Sequence, residues 1–374
     1  MAQRYFGPWL ERMHPLAGAT VVEYGCGYGA VSVALAPLAG RYIAYDIDEG
    51  AVAIARDHLD RASASQNAEV HAVPGDRILD AVAEHEGEVD ILLLYAVLEH
   101  MTVRERLDLL ELAFRLVRSD GLVAVVESPN RLAPVDWHTS FLPFMCQLPE
   151  PLAIEYAARS SREDFREAIA KAAGAGYDAA REELARWGRG ISYHEFELVL
   201  GDVGAHVIGG GYDPQLWDER PLHAEEQVLY RQLHSARPDL PPVFWRFWLD
   251  LALSPEPLSG PAPDLIWPWI LETIGSPGAD WTSWETVQLN PGGVLAIELP
   301  VASRRIVATA SFGEPGGEVI VSAGGRTMRQ PSTAEPGHQT QVDFELPEAE
   351  TRIELRLNPS GWVHFVGYAA PGSR

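Results

Sequence analysis

The sequence predicts an α/β domain with a doubly wound parallel sheet and a helical lid insertion, followed by a C-terminal all-β domain. Three observations support this. Short apolar runs alternate with helical patterns between Thr20 and Pro129, and amphipathic helical patterns follow Pro149. The last part of the chain, beyond residue 281, consists of short alternating runs separated by turn residues. The 374 residues, 47% of them hydrophobic, are enough for two domain cores.

Five apolar runs in the first part of the chain are typical of buried strands. Single helical patterns separate them, and the runs are apolar on both faces, which favours a parallel sheet covered by helices on both sides. The runs are TVVEYG (20–25), RYIAYDID (41–48), AEVHAVPGD (68–76), VDILLLYAV (89–97) and GLVAVVESP (121–129).

A helical lid is predicted at about 148–190, where SSREDFREAIAKAAG and GYDAAREELARWG read as amphipathic helices. Ser192 and Glu195 then stand in capping-box register at the start of another helix. HVIGGGY follows as a further strand of the sheet. The run FWLDLALS from Phe247 is interpreted as a final, antiparallel strand.

The predicted domain limits follow a change in composition. The first domain spans 1–255, a linker rich in proline and glycine spans 256–280, and an antiparallel β-sandwich or jelly roll spans 281–374.

The chain carries 53 acidic and 29 basic residues, for a formal net charge of -24. This charge repels phosphate backbones and anionic lipids, so neither nucleic acid nor a membrane is an expected partner. Only Cys26 and Cys146 occur, too few for a disulfide framework. With no signal-peptide pattern and no long apolar run, we expect a cytoplasmic protein.

The stretch VVEYGCGYGA (21–30) ends a strand and opens a helix. Glycines allow the backbone to turn sharply and a ligand to approach closely, and the helix start offers free N–H groups. The same letters satisfy the GxGxxA pattern of nicotinamide cofactor sites, so that alternative stays open.

Four further features bear on the ligand of this loop. Asp46 ends the second strand, where a carboxylate accepts hydrogen bonds from ribose hydroxyls under either cofactor interpretation. Glu23 ends the first strand, where its charge opposes a pyrophosphate but suits an ammonium group. Asp76 follows the third strand, within reach of an adenine amino group. YAVLEHM follows the fourth strand, and RLVRSDG precedes the fifth.

Together these motifs in residues 20–129 resemble the class I S-adenosylmethionine-dependent methyltransferases of the small-molecule type. The resemblance implies a Rossmann-like methyltransferase sheet, with S-adenosylmethionine as the cofactor. It further implies that the amino-acid part of the cofactor lies at Glu23, Gly25, Gly27 and Gly29, the ribose at Asp46 with Ile47, the adenine at Gly75 and Asp76, and the sulfonium beside Tyr95, with Arg4 or Tyr5 closing the pocket.

The polar loop SPNRLAPVDWHTSFLPF (128–144) follows the fifth strand, so it is expected to face the transferred methyl group. A hydroxyl nucleophile needs a base, and histidine has the best-matched pKa. His138 is one candidate, with Asp136 fixing its tautomer, and His194 is the other. The plainer alternative is that both histidines are merely hydrogen-bonded loop or helix-start residues.

Substrate contacts are predicted for Asn130, Arg131 and Arg189. Asp136, His138 and His194 could also form a carboxylate and bis-imidazole metal set, but their spacing is ordinary, so no metal is predicted.

The predicted function is O-methylation of a small polar acceptor, sugar-like or a natural product, with a histidine general base. The alternatives are an N- or carboxyl-methyltransferase, an NAD-dependent oxidoreductase, and a non-catalytic protein that binds a cofactor or a glycan. The expected partner is a small-molecule substrate, and a homodimer is also considered.

Overall fold

The computed structural model describes residues 6–210, 226, 229, 233, 236–237, 239–258, 267–269, 279–281 and 287–369. These residues belong to two compact units. The first lies within Met1–Gly211 and Val243–Leu258, and the second within Tyr212–Pro242 and Ser259–Arg374. The domain limits at residues 255 and 281 remain a prediction.

The first unit contains a seven-stranded sheet in the order β3-β2-β1-β4-β5-β7-β6. The pairs from β3 to β5 are parallel, and β7 lies antiparallel between β5 and β6. The predicted doubly wound sheet and its antiparallel strand are therefore confirmed. The strands are β1 (Thr20–Tyr24), β2 (Arg41–Asp46), β3 (Ala68–Ala72), β4 (Val89–Tyr95), β5 (Val117–Pro129), β6 (Val207–Gly210) and β7 (Trp248–Leu253).

Helices connect these strands, and their starts follow local sequence rules. Asp48 caps one helix by accepting from two backbone N–H groups, and Thr102 with Glu105 forms a full capping box. The predicted capping box of Ser192 and Glu195 is also present. The helices are α1 (Gly7–Met13), α2 (Ala30–Leu35), α3 (Glu49–Arg61), α4 (Ile78–Ala83), α5 (Val103–Leu116), α6 (Glu150–Tyr156), α7 (Glu163–Ala175), α8 (Tyr177–Trp187) and α9 (Tyr193–Leu200).

The segment predicted as a lid is helical and has a small core of its own. Phe165 and Ile169 of α7 pack with Leu184 of α8 and with Ala153 of α6. Because this core is separate from the one beneath the sheet, α6 to α8 form a distinct helical layer. Movement of that layer over a substrate remains a prediction.

The second unit is an antiparallel sheet in the order β13-β12-β14-β11-β15-β10-β9, with β8 paired to β15. Alternate residues of its strands point into one apolar core, as Ile306, Ala308 and Ala310 do. The predicted all-β character is confirmed. The strands are β8 (Trp267–Trp269), β9 (Ala279–Trp281), β10 (Val287–Leu289), β11 (Leu295–Phe312), β12 (Glu318–Ala323), β13 (Arg326–Pro331), β14 (Gln339–Asn358) and β15 (Gly361–Tyr368).

Among the described residues, no helix combines the length and the apolar character that crossing a membrane requires.

Candidate active site

The glycine loop lies at the carboxyl end of β1 and is held by the neighbouring strand. Gly25, Gly27 and Gly29 have φ angles of 80°, 49° and 78°, a region that side chains disfavour. The N–H groups of Gly25 and Cys26 both donate to the carbonyl of Tyr45, at 2.8 and 3.1 Å. The loop is therefore fixed before any ligand binds.

Two of the three glycines are required by close packing, and the third faces open space. A Cβ at Gly25 would lie 2.6 Å from Val97 Cγ2, and one at Gly29 would lie 2.8 Å from Ala55 Cβ. A Cβ at Gly27 would meet no described atom within 4 Å. The space over Gly27 is thus a cradle that a side chain would fill, which fits the close approach of an extended ligand.

Asp46 connects this loop to the end of β2. Its Oδ2 accepts from the N–H of Gly27 at 2.7 Å, and its Oδ1 accepts from the N–H of Asp48 at 2.9 Å. The carboxylate is half-buried. Since each carboxylate oxygen accepts more than one hydrogen bond, Asp46 retains the capacity to bind ribose hydroxyls.

An apolar surface lies beside Asp46. Ile47 is 61% exposed, which is unusual for an isoleucine next to a buried strand. A Cβ at Gly75 would lie 3.8 Å from Ile47 Cγ2, so the ends of β2 and β3 adjoin there. Asp76 is exposed on the same turn. An adenine ring fits this combination of apolar contact and a nearby carboxylate, and these contacts remain predictions.

Glu23 is almost fully buried, at 2% exposed. Its Oε2 accepts from the hydroxyl of Ser32 at 2.5 Å and from the hydroxyl of Tyr42 at 2.8 Å. Burial raises the pKa of this carboxyl to about 7, although the two hydrogen bonds act to lower it. The carboxylate is therefore already engaged inside the protein, and its contact with a ligand ammonium group remains a prediction.

Stability is expected to fall as the pH rises through about 7 because of Glu23. The folded-state pKa lies above the ordinary value of 4.5, so the stabilisation is complete below that value and is lost above the folded-state pKa. The Glu23→Gln variant should lose this part of the pH dependence. Urea unfolding at several pH values from 4.5 to above 7 measures it, and an unchanged pH slope in the variant would contradict the assignment.

Tyr95 ends β4 and is half-buried, with its ring 5.8 Å from the ring of Phe6 in an edge arrangement. The amino-terminal segment thus reaches this edge of the sheet at Phe6. Arg4 and Tyr5, predicted to close the pocket, lie outside the described residues.

Asp136 does not orient His138, which corrects the prediction. Its Oδ1 accepts from the N–H of Thr139 at 3.0 Å, and its Oδ2 accepts from the N–H and the hydroxyl of Ser140 at 2.9 and 2.7 Å. The carboxylate closes the turn of its own loop. The partner of His138 Nδ1 is instead Thr139 Oγ1, at 2.9 Å.

The two candidate bases lie in different surroundings. His138 is partly buried, and its ring meets that of Trp248 edge-on at 6.0 Å. His194 is exposed on the first turn of α9, where it stacks on Tyr193 at 3.9 Å and bonds to Ser192 Oγ. These local contacts favour the alternative that His194 is a hydrogen-bonded residue at the start of a helix.

Asn130 is buried and holds its own loop in place, and its predicted contact with substrate remains a prediction. Its amide nitrogen donates to the carbonyls of Phe244 and Arg246, both at 2.7 Å, and its amide oxygen accepts from the N–H of Leu132. Both amide N–H groups are thus used, whereas the amide oxygen keeps one lone pair.

The two arginines predicted to bind substrate also contact backbone carbonyls. Arg189 Nη2 lies within hydrogen-bond distance of the carbonyls of Met145, Cys146 and Leu148, so it anchors the loop before α6. Arg131 donates to the carbonyl of Gly190 and lies 3.3 Å from Glu195 Oε1. Substrate contact by either arginine remains a prediction.

No catalytic or binding role was predicted from the sequence for Glu99 and His100, which lie in the YAVLEHM stretch after β4. Glu99 is 0% exposed, and its Oε2 accepts from Ser128 Oγ at 3.3 Å. Its Oε1 has no hydrogen-bond partner among the described residues. His100 Nε2 and His138 Nε2 each lie 3.9 Å from that oxygen. The sequence signal that could have identified them is the adjacent acid and imidazole in LEH (98–100), just after β4.

The partners of the two imidazoles determine which nitrogen carries the proton. His100 Nδ1 lies 2.8 Å from the carbonyl of Arg186, which only accepts, so Nδ1 is protonated and Nε2 is not. Thr139 Oγ1 donates its single proton to the carbonyls of Trp187 and Gly188, so it accepts from His138 Nδ1. Both Nε2 lone pairs therefore face Glu99.

Electrostatics agrees with this assignment of protons. Burial lowers the pKa of His138 to about 4 and also lowers that of His100, so both rings are neutral near pH 7. Burial raises the pKa of Glu99 to about 7. We call Glu99, His100 and His138 the three-acceptor cluster.

A buried ion pair between Arg106 and Glu195 holds the backbone next to this cluster. Arg106 of α5 is 1% exposed and donates to the carbonyls of Glu99, Met101 and Gly190. Its Nη1 also lies 3.3 Å from Glu195 Oε1. Arg106 therefore ties the segment after β4 to the start of α9.

The comparisons with known proteins match the first part of the chain. A family model described as a methyltransferase domain matches residues 21–121. The ubiquinone biosynthesis O-methyltransferase of Thiobacillus denitrificans is 31% identical over 115 residues, which are 31% of this chain and 47% of that protein. The ribosomal protein L11 methyltransferase of Streptococcus equi subsp. zooepidemicus is 30% identical over 105 residues, 28% of this chain and 30% of that protein. The match thus spans less than half the length of either relative.

Parts of the chain are also similar to solved structures. Magnesium protoporphyrin IX methyltransferase from Synechocystis with bound SAM has a TM-score of 0.29 at 24% identity, over 34% of this chain and 57% of that one. A SAM-dependent methyltransferase from Aquifex aeolicus has a TM-score of 0.31 at 19% identity, over 41% and 80%. These TM-scores are too low for either likeness to carry an argument about this chain.

Proposed function

We propose that this chain, whose residues 21–121 form a class I S-adenosylmethionine-dependent methyltransferase domain, transfers a methyl group to a hydroxyl oxygen of a small polar acceptor. The observation that carries this proposal is the three-acceptor cluster at the carboxyl edge of the sheet. One relative is named an O-methyltransferase and another acts on a ribosomal protein, so the acceptor is argued from the site.

S-adenosylmethionine supplies a methyl group on a positively charged sulfur. The glycine loop would hold its amino-acid part, Asp46 its ribose, and Ile47 with Gly75 and Asp76 its adenine. The fixed loop and the open space over Gly27 support this placement. The acid at the end of β2 is compatible with either cofactor, whereas the match to a methyltransferase family favours the sulfonium compound.

The cluster adjoins the glycine loop through the segment after β4. Val97 lies against Gly25, since a Cβ there would be 2.6 Å from Val97 Cγ2, and Glu99 follows two residues later. Parallel strands present their carboxyl ends at one edge of the sheet, so an acceptor held at the cluster lies on the cofactor side. Alignment of that kind supplies much of the rate of an in-line displacement.

In the reaction, a bond forms between the acceptor oxygen and the methyl carbon, and the carbon–sulfur bond breaks with its electron pair going to sulfur. A hydroxyl must lose its proton during this step. The three-acceptor cluster offers three lone pairs and, among the described residues, no donor aimed at Glu99 Oε1. Such a site suits an ionising hydroxyl, whereas Glu99 would repel a carboxylate acceptor.

Methyl transfer is expected to depend on His138. A mass-spectrometric screen of hydroxyl, amine and carboxyl compounds with S-adenosylmethionine should give products methylated on oxygen of a hydroxyl. In the His138→Ala variant, kcat should fall by about a hundredfold or more while affinity for S-adenosylhomocysteine is unchanged.

The matched control is His338→Ala, which removes an exposed histidine from the second unit and should leave the rate unchanged. Products methylated at carboxyl or amine groups, or a wild-type rate in the His138→Ala variant, would contradict the proposal.

A further inference from the structure

We propose that the three-acceptor cluster of Glu99, His100 and His138 binds a divalent transition-metal ion. The sequence predicted no metal, and the alternative set considered there, Asp136, His138 and His194, shares only His138 with this cluster. Metal binding is inferred from the cluster's own geometry, and its part in catalysis rests on the proposed function.

The first observation is a buried carboxylate oxygen without a partner. Glu99 Oε1 is fully buried and accepts no hydrogen bond from any described residue. A buried acceptor left without a donor costs about 1–3 kcal/mol, and more when it is charged. The two imidazole nitrogens that face it lie 3.9 Å away, beyond hydrogen-bond distance, so no hydrogen bond inside the cluster removes this cost. A cation removes it.

The second observation is convergence of three ligand atoms. Glu99 offers a carboxylate oxygen, His100 and His138 each offer an imidazole nitrogen, and these atoms all lie within 4.8 Å of one another. Ligand atoms around a tetrahedral metal ion lie about 3.3 Å apart. The distances of 3.9 Å from Nε2 to Oε1 thus close by roughly half an ångström on binding, and the two imidazole nitrogens, within 4.8 Å of each other, close by up to about 1.5 Å.

The third observation is that each ligand is already oriented by another group. Ser128 Oγ holds the far oxygen of Glu99, the carbonyl of Arg186 holds His100, and Thr139 Oγ1 holds His138. Bonds of this kind from the second imidazole nitrogen fix the metal-binding tautomer in metalloproteins. A Cβ at Gly188 would lie 2.9 Å from the ring of His138, so the backbone also confines that ring.

The ligand types indicate the class of metal. Imidazole suits zinc, iron, cobalt and nickel, whereas magnesium and calcium prefer an all-oxygen set. Three protein ligands leave coordination positions for water or for oxygens of the acceptor, as in catalytic metal sites. A metal there would bind the acceptor hydroxyl and lower its pKa, so that the proton passes to solvent. His138 then acts as a ligand and does not itself take up the proton.

The test uses the full chain, stripped of metal with a chelator and titrated with Co²⁺ while the visible d–d absorption is followed. One Co²⁺ per chain should bind and be displaced by Zn²⁺. Glu99→Gln, His100→Ala and His138→Ala should each weaken Co²⁺ binding by about a hundredfold. Thr139→Val removes the hydroxyl that orients His138, together with its bonds to the carbonyls of Trp187 and Gly188, but keeps all three ligands. It should weaken Co²⁺ binding by about tenfold.

The control is again His338→Ala, which should bind Co²⁺ as the wild type does. Circular dichroism distinguishes a folded variant that has lost the metal from an unfolded one, and Glu99→Gln conserves the shape of its side chain. Absence of Co²⁺ binding to the wild type, or wild-type affinity in the folded cluster variants, would overturn the proposal. Because S-adenosylhomocysteine binding and methyl transfer are measured separately, failure of metal binding leaves the proposed methyl transfer standing.

Discussion

Replacing Asp46 with alanine is expected to lower the affinity for S-adenosylhomocysteine by about a hundredfold or more. Hydrogen bonds to a charged group contribute about 1.5–3 kcal/mol each, and the ribose offers two hydroxyls. The variant also removes the bond from Gly27 N–H to Asp46 Oδ2 at 2.7 Å, so the glycine loop loses one of its attachments. Calorimetric titration of the purified variant measures the change.

The matched control for this variant is Asp57→Ala. Asp57 is an exposed aspartate on α3, paired with Arg61 at 2.8 Å, and surface ion pairs contribute little. This control should bind S-adenosylhomocysteine as the wild type does. If Asp46→Ala also kept wild-type affinity, the acid at the end of β2 would have no part in cofactor binding.

Replacing Arg106 with methionine is expected to destabilise the protein by about 3 kcal/mol or more. The variant keeps the length of the side chain but removes one donor from each of three backbone carbonyls, and Glu195 loses one of its two arginine partners. Removing one member of a buried ion pair costs about 3–5 kcal/mol. Urea unfolding gives the free energy of unfolding directly.

Arg104→Met, on the same helix, is the control for Arg106→Met. Arg104 is exposed and pairs with Asp108 one turn away, so its loss should change the free energy of unfolding by about 0.5 kcal/mol or less. Equal effects of the two variants would show that the buried network around Arg106 adds nothing to stability.

The fold of the first unit could be predicted because its signals are local. Each strand of the parallel sheet is a continuous apolar run, and glycines mark the turn where no side chain fits. Even β7, which follows β6 in the chain but lies between β5 and β6, was recognisable as a strand. Its position in the sheet was not, because strand order depends on contacts distant in sequence.

The polar residues of the site were harder to predict, because their partners are decided by how the loops close. The amide nitrogen of Asn130 donates to carbonyls more than a hundred residues away in the chain. The carboxylate of Asp136 accepts from backbone N–H groups three and four residues later. Neither set of hydrogen bonds can be predicted from the spacing of these residues in the sequence. Glu99 and His100 meet His138 only because β4 and β5 are neighbours that end at the same edge. With the strand order known, the proximity of these three side chains could have been predicted.

The central claim is that the glycine loop and Asp46 bind S-adenosylmethionine. Titrating the full chain with S-adenosylhomocysteine, and separately with NAD, tests this claim most directly. We expect one S-adenosylhomocysteine to bind per chain and NAD to give no heat of binding. Binding of NAD in place of S-adenosylhomocysteine, or of neither compound, would contradict the account.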